Sequence, residues 1–262
     1  MMKHHQHPNW WLVSLVVLTG SSCTTTPLSN GEIPTLTSAV QYSDWTEVTP
    51  GIELKQQVVS LDTVEELFTI VRIDLTQRSL HVASDQAIPK TVADWQAELA
   101  APLVMNGSYF SEDYQLLTRT ITNQESIGTL LSGPTGWAYT TTAQSWVIER
   151  DLSVASEAIA EGIQSYPVLV WDREVYFTTG SNDVAQRTVL AQDYSGHWYM
   201  IVTEYGVLTL AQLADSLVHH LNLELSAALN LDGGTSTGLT IQSATVQYQV
   251  GSTVVPSVLY IQ

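Results

Sequence analysis

Leu67-Phe68-Thr69-Ile70-Val71-Arg72-Ile73-Asp74-Leu75 alternates two sets of side chains, Phe68, Ile70, Arg72 and Asp74 against Thr69, Val71 and Ile73. A period of two is the pattern of a β-strand with two unlike faces. Residues 52–59 before it and 80–83 after it also read as strands, so the domain opens on successive antiparallel strands. A helix then begins at Thr91, with Asp94 placed three residues after a threonine cap, Val92, Trp95 and Leu99 at helical spacing, and Pro102 closing it. Residues 103–105 form a short buried strand that delivers Asn106, Gly107, Ser108, Tyr109 and Phe110. From 112 to 161 only two strands, 137–141 and 146–148, and a turn at Gly133, Pro134 and Gly136 can be read. Residues 166–171, 187–190 and 198–203 are expected strands, the last two separated by a polar turn at 193–196. Thr209 caps a second helix whose apolar face is Leu210, Leu213, Leu217, Val218 and Leu221. Strands at 227–231, 239–241 and 254–261 complete the reading. The pattern predicts one α+β domain over 44–262, with a mixed, largely antiparallel sheet core and a few helices.

Composition excludes several classes. The 262 residues carry 9 Lys+Arg against 26 Asp+Glu, a formal charge of −17, so nucleic acid is not an expected partner. With 44% hydrophobic residues, 8 Trp and 11 Tyr, the chain can bury a substantial core and is not a disordered acidic tail. The single cysteine, Cys23, excludes an intramolecular disulfide and a cysteine-based zinc site. Ahead of it stand Lys3, an apolar run from Trp10 to Leu18, and the small residues Thr19, Gly20, Ser21 and Ser22, which read as the three regions of a secretory signal over 1–22. The run is short of the ~20 apolar residues that span a bilayer. A cysteine directly after small residues resembles a bacterial lipoprotein cleavage site, although Gly20 stands where leucine is usual. Cys23 would then carry the lipid, 23–43 would be a Thr, Ser and Pro rich tether, and the protein would be periplasmic or anchored in the outer membrane. His4, His5 and His7 fall in the segment expected to be removed.

The chemistry concentrates at Asn230-Leu231-Asp232-Gly233-Gly234-Thr235-Ser236-Thr237-Gly238. An apolar strand ending in a carboxylate, two glycines and a run of hydroxyls places an acid beside backbone that a ligand can approach closely. The same residues suit a plain hairpin turn, with Asp-Gly supplying positive-φ geometry. Spacing alone leaves both readings open.

This stretch resembles the signature of the phosphodiester glycosidase family. Five further segments are similar to family segments in the same order: Met105-Asn106-Gly107-Ser108-Tyr109-Phe110, Tyr166-Pro167-Val168-Leu169-Val170, Gln186-Arg187-Thr188, the run from Gly206 to Ala214 and Val255-Pro256-Ser257-Val258. The sequence departs from the pattern at Ser108, Asp172-Arg173, Gln186, Glu204-Tyr205-Gly206 and Thr235. The resemblance implies a hydrolase that releases a sugar from a phosphodiester, here in an envelope glycan, glycolipid or exopolysaccharide. The departures leave open a non-catalytic module that binds glycan or phosphate in the same cleft.

A glycosyl phosphodiester needs charge stabilisation at phosphate and proton transfer at the reacting oxygens. Arg187 is the expected phosphate ligand, since a planar guanidinium bonds two oxygens at once. Asp232 is the expected acid or base, and is also the residue that would ligate a divalent cation. No cofactor motif is present. Glycoside hydrolysis commonly uses two carboxylates, and Asp172 is the expected second, with Glu204 as the other candidate. Asn106 and Asn230 are expected to bond substrate hydroxyls or phosphate. Gly233 and Gly234 would turn backbone N–H groups to the phosphate, Ser236 would donate to it, and Tyr109 and Phe110 would stack on sugar or belong to the core. Gly107 and Thr188 complete the expected substrate-contacting set. The sequence has no G-x-S-x-G, Walker, H-E-x-x-H or G-x-G-x-x-G motif. His81, His197, His219 and His220 read as structural or surface residues.

Overall fold

The computed structural model describes residues 40–262 except 144 and 153. The leader, Cys23 and the tether up to residue 39 lie outside the described residues. Gln41 and Tyr42 already belong to the folded part: their N–H groups donate to Gln56 Oε1 at 2.9 and 3.3 Å, and the Tyr42 ring meets Tyr248 edge-on.

The alternating strand of the opening segment, Val64–Ile73, lies third in an eight-stranded sheet. The sheet order is Thr46–Thr49, Ile52–Leu61, Val64–Ile73, Trp198–Thr203, Thr188–Asp193, Leu225–Asn230, Val168–Trp171 and Glu174–Val175. Its two faces are both buried. Phe68, Ile70, Val189, Ala191 and Ile201 pack beneath helix α2 (Leu210–His219) through Leu213, Ala214 and Leu217. Val71, Ile73, Leu190, Met200 and Leu229 point the other way, onto Leu103, Met105, Leu239 and Leu259 of a second sheet. That sheet has five strands in the order Gln247–Val250, Leu239–Gln242, Leu103–Asn106, Ser257–Ile261 and Leu80–Ser84. Its outer face, with Val104 and Val258, is covered by helix α1 (Val92–Leu99) through Val92 and Trp95. The result is a helix, sheet, sheet, helix stack.

Both helices start where the caps predict. Thr91 Oγ1 accepts the Asp94 N–H at 3.1 Å, and Thr209 and Gln212 form a reciprocal capping box at 3.2 and 3.0 Å.

Three expectations are corrected. Every strand pairing among the described residues is antiparallel, so the sheets are not mixed. The segment 112–161 builds most of a third, five-stranded sheet, ordered Val147–Glu149, Gly136–Thr141, Ile159–Ser165, Thr120–Thr122 and Glu125–Ile127. Its strands are mostly short and rich in Thr, Glu, Gln and Gly, which hides their periodicity. Finally, the expected strand 254–261 breaks at Pro256 into Val254–Val255 and Ser257–Ile261, because proline has no N–H for a ladder. No helix among the described residues is long and apolar enough to cross a membrane.

Leu190 is fully buried between the two principal sheets. Leu190→Ala is expected to lower unfolding stability by about 2–5 kcal/mol, seen as a lower urea midpoint at unchanged slope.

Candidate active site

Antiparallel pairing of Thr188–Asp193 with Leu225–Asn230 sets Val189 opposite Asn230. Arg187, just before one strand, and Asp232, just after the other, therefore arrive at the same end of the eight-stranded sheet. Leu231 N–H donates to Thr188 O at 2.8 Å and extends that pairing to the edge of the site. The second sheet brings a third segment there, since Asp232 N–H donates to Gly107 O at 3.2 Å.

The glycines explain how closely these pieces meet. A Cβ on Gly233 would stand 2.8 Å from Gln186 O and 3.8 Å from Arg187 Cδ. Gly234, at φ +64°, donates its N–H to the same Gln186 oxygen at 2.7 Å. The segment is not a hairpin turn. It carries the chain from one sheet into the other, with Gly233 at φ −130° and a short 3₁₀ turn at Gly234–Ser236.

Burial pushes the Asp232 carboxyl up to about 6, against the opposing effect of hydrogen bonds from the Ser236 side chain and the Gly233 N–H. Arg187 Nη2 donates to Asp183 O at 2.7 Å and Leu208 O at 3.4 Å, while its Nε is buried without a partner. Among the described residues Arg187 makes no ion pair, and burial draws its pKa down. The Tyr109 hydroxyl donates to Tyr166 O at 2.9 Å and accepts from Asn230 Nδ2 at 2.5 Å. Burial, and after it the Asp232 charge, raises the Tyr109 pKa, so the phenol stays protonated at neutral pH. A neutral phenol, a carboxyl poised near neutrality and a guanidinium without a direct ion pair thus share one end of the sheet.

The remaining expected residues divide clearly. Asn106 is fully buried: its Oδ1 accepts from Thr188 Oγ1 at 2.9 Å and Gly238 N–H at 3.0 Å, and its Nδ2 donates to Asp232 O at 2.8 Å. Asn106 and Thr188 are therefore internal ties beneath the site rather than substrate ligands. Gly107 is buried as well, with a Cβ position 2.8 Å from Ser257 Oγ. Asn230 Nδ2 also reaches the Tyr166 and Leu231 carbonyls at 3.0 and 2.9 Å, which fixes its amide orientation, and leaves Oδ1 buried without a partner. The N–H groups of Gly233 and Gly234 and the Ser236 hydroxyl are spent on Asp232 and Gln186 rather than turned outward. Phe110 stacks on Tyr114 at 5.7 Å and packs against the α1 cluster.

Neither expected second carboxylate joins Asp232. Asp172 N–H donates to Ser226 O, so Asp172 sits at the opposite end of the neighbouring strand, roughly 20 Å of strand length from Asp232. With Arg173 it forms a tight positive-φ turn, and its carboxylate accepts the Tyr194 hydroxyl. Glu204 is enclosed by Thr69, Tyr248 and Gln56, all of which donate to it.

Sequence reasoning missed Glu66. This fully buried carboxylate accepts Tyr205 N–H at 2.7 Å and Val207 N–H at 2.9 Å, and burial raises its pKa. It holds the loop whose Leu208 carbonyl receives Arg187 and whose Gly206 lies against Gln186 N. An acid within an apolar strand was the visible signal. Among the described residues no group of three or more His, Cys, Asp or Glu is arranged to hold a metal ion.

A family model for phosphodiester glycosidases matches residues 100–262, well over half the chain. The chain belongs to the phosphodiester glycosidase family. Its match contains the segments of Tyr109, Arg187 and Asp232, while Glu66 precedes it. Among solved structures, the fold is similar to the catalytic domain of zebrafish N-acetylglucosamine-1-phosphodiester alpha-N-acetylglucosaminidase, auto-inhibited by its pro-peptide, with TM-score 0.63, 16% identity, and coverage of 85% of this chain and 87% of that one. A hypothetical protein from Synechocystis aligns at TM-score 0.61 and 15% identity over 81% of this chain, which spans 62% of that protein's length. A Burkholderia pseudomallei K96243 protein aligns at TM-score 0.54 and 10% identity, over 77% and 75% of the two chains. At these identities the likeness is one of fold. No curated protein sequence matches significantly.

In this member of the family, the raised pKa of Asp232 carries a stability consequence. Its ordinary value is 3.8, so the ionised form disfavours the folded state. That penalty is complete above about pH 6, fades as the pH falls toward 3.8, and is absent below it. Asp232→Asn is expected to raise stability by about 3 kcal/mol at neutral pH and above, and to lose that gain by about pH 3.5, in urea titrations at the two pH values.

Proposed function

We propose that this protein is an exported, lipid-anchored hydrolase that cleaves a glycosyl 1-phosphodiester in an envelope glycan, glycolipid or exopolysaccharide. Family membership supports hydrolysis of phosphodiester glycosidic bonds at the level of reaction class. The observation that carries the reading is the placing of a half-buried Arg187 without an ion pair and a single carboxylate held near neutrality, Asp232, at the same end of the sheet, with Tyr109 within electrostatic reach of both. The export signal and Cys23 are the grounds for placing the protein at the envelope.

The arrangement suits a departing phosphate. When the bond between the anomeric carbon and the bridging oxygen breaks, the electron pair stays with that oxygen and is shared by the phosphate. Arg187 stabilises this charge, so the leaving group has little need of a proton. Water then requires a base. Asp232, ionised above about pH 6, takes the proton as the water oxygen bonds to the anomeric carbon. The Tyr109 hydroxyl, fixed by Tyr166 and Asn230, orients the sugar beside it. This scheme uses one carboxylate, in keeping with the distant placement of Asp172.

The full-length protein, given an N-acetylglucosamine 1-phosphodiester, is expected to release the sugar. Asp232→Asn should lower kcat/KM by about 10²–10⁴-fold and Arg187→Ala by at least about 10²-fold. Wild-type kcat/KM should rise with pH through about 6, and this limb should be missing in Asp232→Asn. No release, or release untouched by both changes, overturns the reading. Binding of the diester without turnover identifies a non-catalytic module instead.

A further inference from the structure

The polar site has an apolar rim that the proposed hydrolysis does not explain. Ten large apolar side chains are exposed among the described residues, and five of them belong to segments bonded directly to the site or to its neighbours. Leu117, 48% exposed, donates its N–H to Tyr109 O at 2.8 Å. Tyr166, 38% exposed, gives its carbonyl to both Tyr109 and Asn230. Val184, 56% exposed, follows Asp183, whose carbonyl receives Arg187. Leu130 and Leu131, 58% and 36% exposed, sit on a loop fixed to buried Gln164: Leu131 N–H donates to Gln164 Oε1 and its carbonyl accepts Gln164 Nε2, both at 2.8 Å. Gln164 lies two residues before Tyr166. The loop backbone is thus held in place while both leucine side chains remain in solvent.

Charge narrows what this rim receives. All charged residues except Lys3 and Glu32 fall within 40–262, so the folded part also carries −17. Such a surface repels a polymer of repeating phosphates, while one phosphodiester can be drawn by Arg187 alone. Exposed apolar side chains on several segments tied to one polar site offer a place for an apolar group.

From this we infer that the substrate's aglycone, the part attached to the far side of the phosphate, is an aliphatic chain seated on the rim formed by Leu117, Leu130, Leu131, Tyr166 and Val184. The inference rests on the proposed phosphodiester hydrolysis and names its substrate class. The sugar and phosphate occupy the polar floor, and the chain lies across the leucine loop.

The test compares the octyl and methyl diesters of N-acetylglucosamine 1-phosphate on the full-length protein. The octyl compound is expected to have a kcat/KM about tenfold higher, the effect of roughly two buried methylenes. This ratio should fall toward unity in Leu130→Ser/Leu131→Ser and persist in Tyr194→Ser, a substitution near the Asp172 turn at the opposite end of the sheet. Should the double variant not fold, judged by its thermal transition, Leu117→Ser provides the same reading. Equal rates for the two diesters in wild type, or a preference that survives the rim variants, overturns the inference.

If neither diester is hydrolysed, the catalytic reading fails on its own, and the rim is judged by calorimetric binding of octyl phosphate against methyl phosphate. A chain-length preference lost in the double variant supports an aliphatic site. Equal affinity, or tighter binding of poly(glycerol phosphate) than of octyl phosphate, overturns it.

Discussion

One buried amide joins the two sheets at the point where the chemistry is assembled. Asn106, at the end of a strand of the five-stranded sheet, receives hydrogen bonds from Thr188 and Gly238 and donates one to the Asp232 carbonyl. These partners come from the start of the strand that follows Arg187, from the start of the return into the second sheet, and from the Asp232 segment itself. The amide oxygen accepts two hydrogen bonds and the amide nitrogen donates one, and each partner left alone in this dry interior would cost about 1–3 kcal/mol. The relative placement of Arg187 and Asp232 depends on this tie, reinforced by the close approach that Gly233 permits.

Around the tie, the fold keeps one charge near neutrality and another without a direct ion pair. Asp232 is desolvated and supported by only two donors, so its proton affinity rises into the physiological range. Arg187 is held through one nitrogen by backbone carbonyls, which orient a guanidinium without neutralising it. Glu66 acts one step further away, fixing through two backbone N–H groups the loop that supplies one of those carbonyls. Arg187 is half-buried, with its Nε enclosed and unbonded, at the end of the sheet that also carries Asp232.

Much of the architecture was legible in local pattern. The alternation around Ile70 predicted a strand with two unlike faces, and the structure buries those faces in different clusters. The threonine caps at 91 and 209 predicted both helix starts. Where strands were short and polar, as in Thr120–Thr122 and Glu125–Ile127, periodicity had too few residues to emerge. Side-chain roles were less legible still. His81 and His197 showed no recognisable partner in the sequence, yet they meet Glu161 and Asp193 at 3.1 and 3.0 Å. Asp172 looked well placed because it follows a motif strand, but the antiparallel direction of that strand carries it away from Asp232.

The strand-rich character, the helix starts, the acidity and the family signature can all be read from the sequence, because each is written in neighbouring residues or in ordered motifs. Which motif residues keep free polar atoms and which are tied into the floor beneath the site follows from packing between distant segments. Asn106, Thr188 and the N–H groups of Gly233 and Gly234 have the right chemistry for phosphate, but packing had already spent their hydrogen bonds. A side chain's chemistry is local, whereas its availability depends on every group that packs against it, and those groups come from distant parts of the chain.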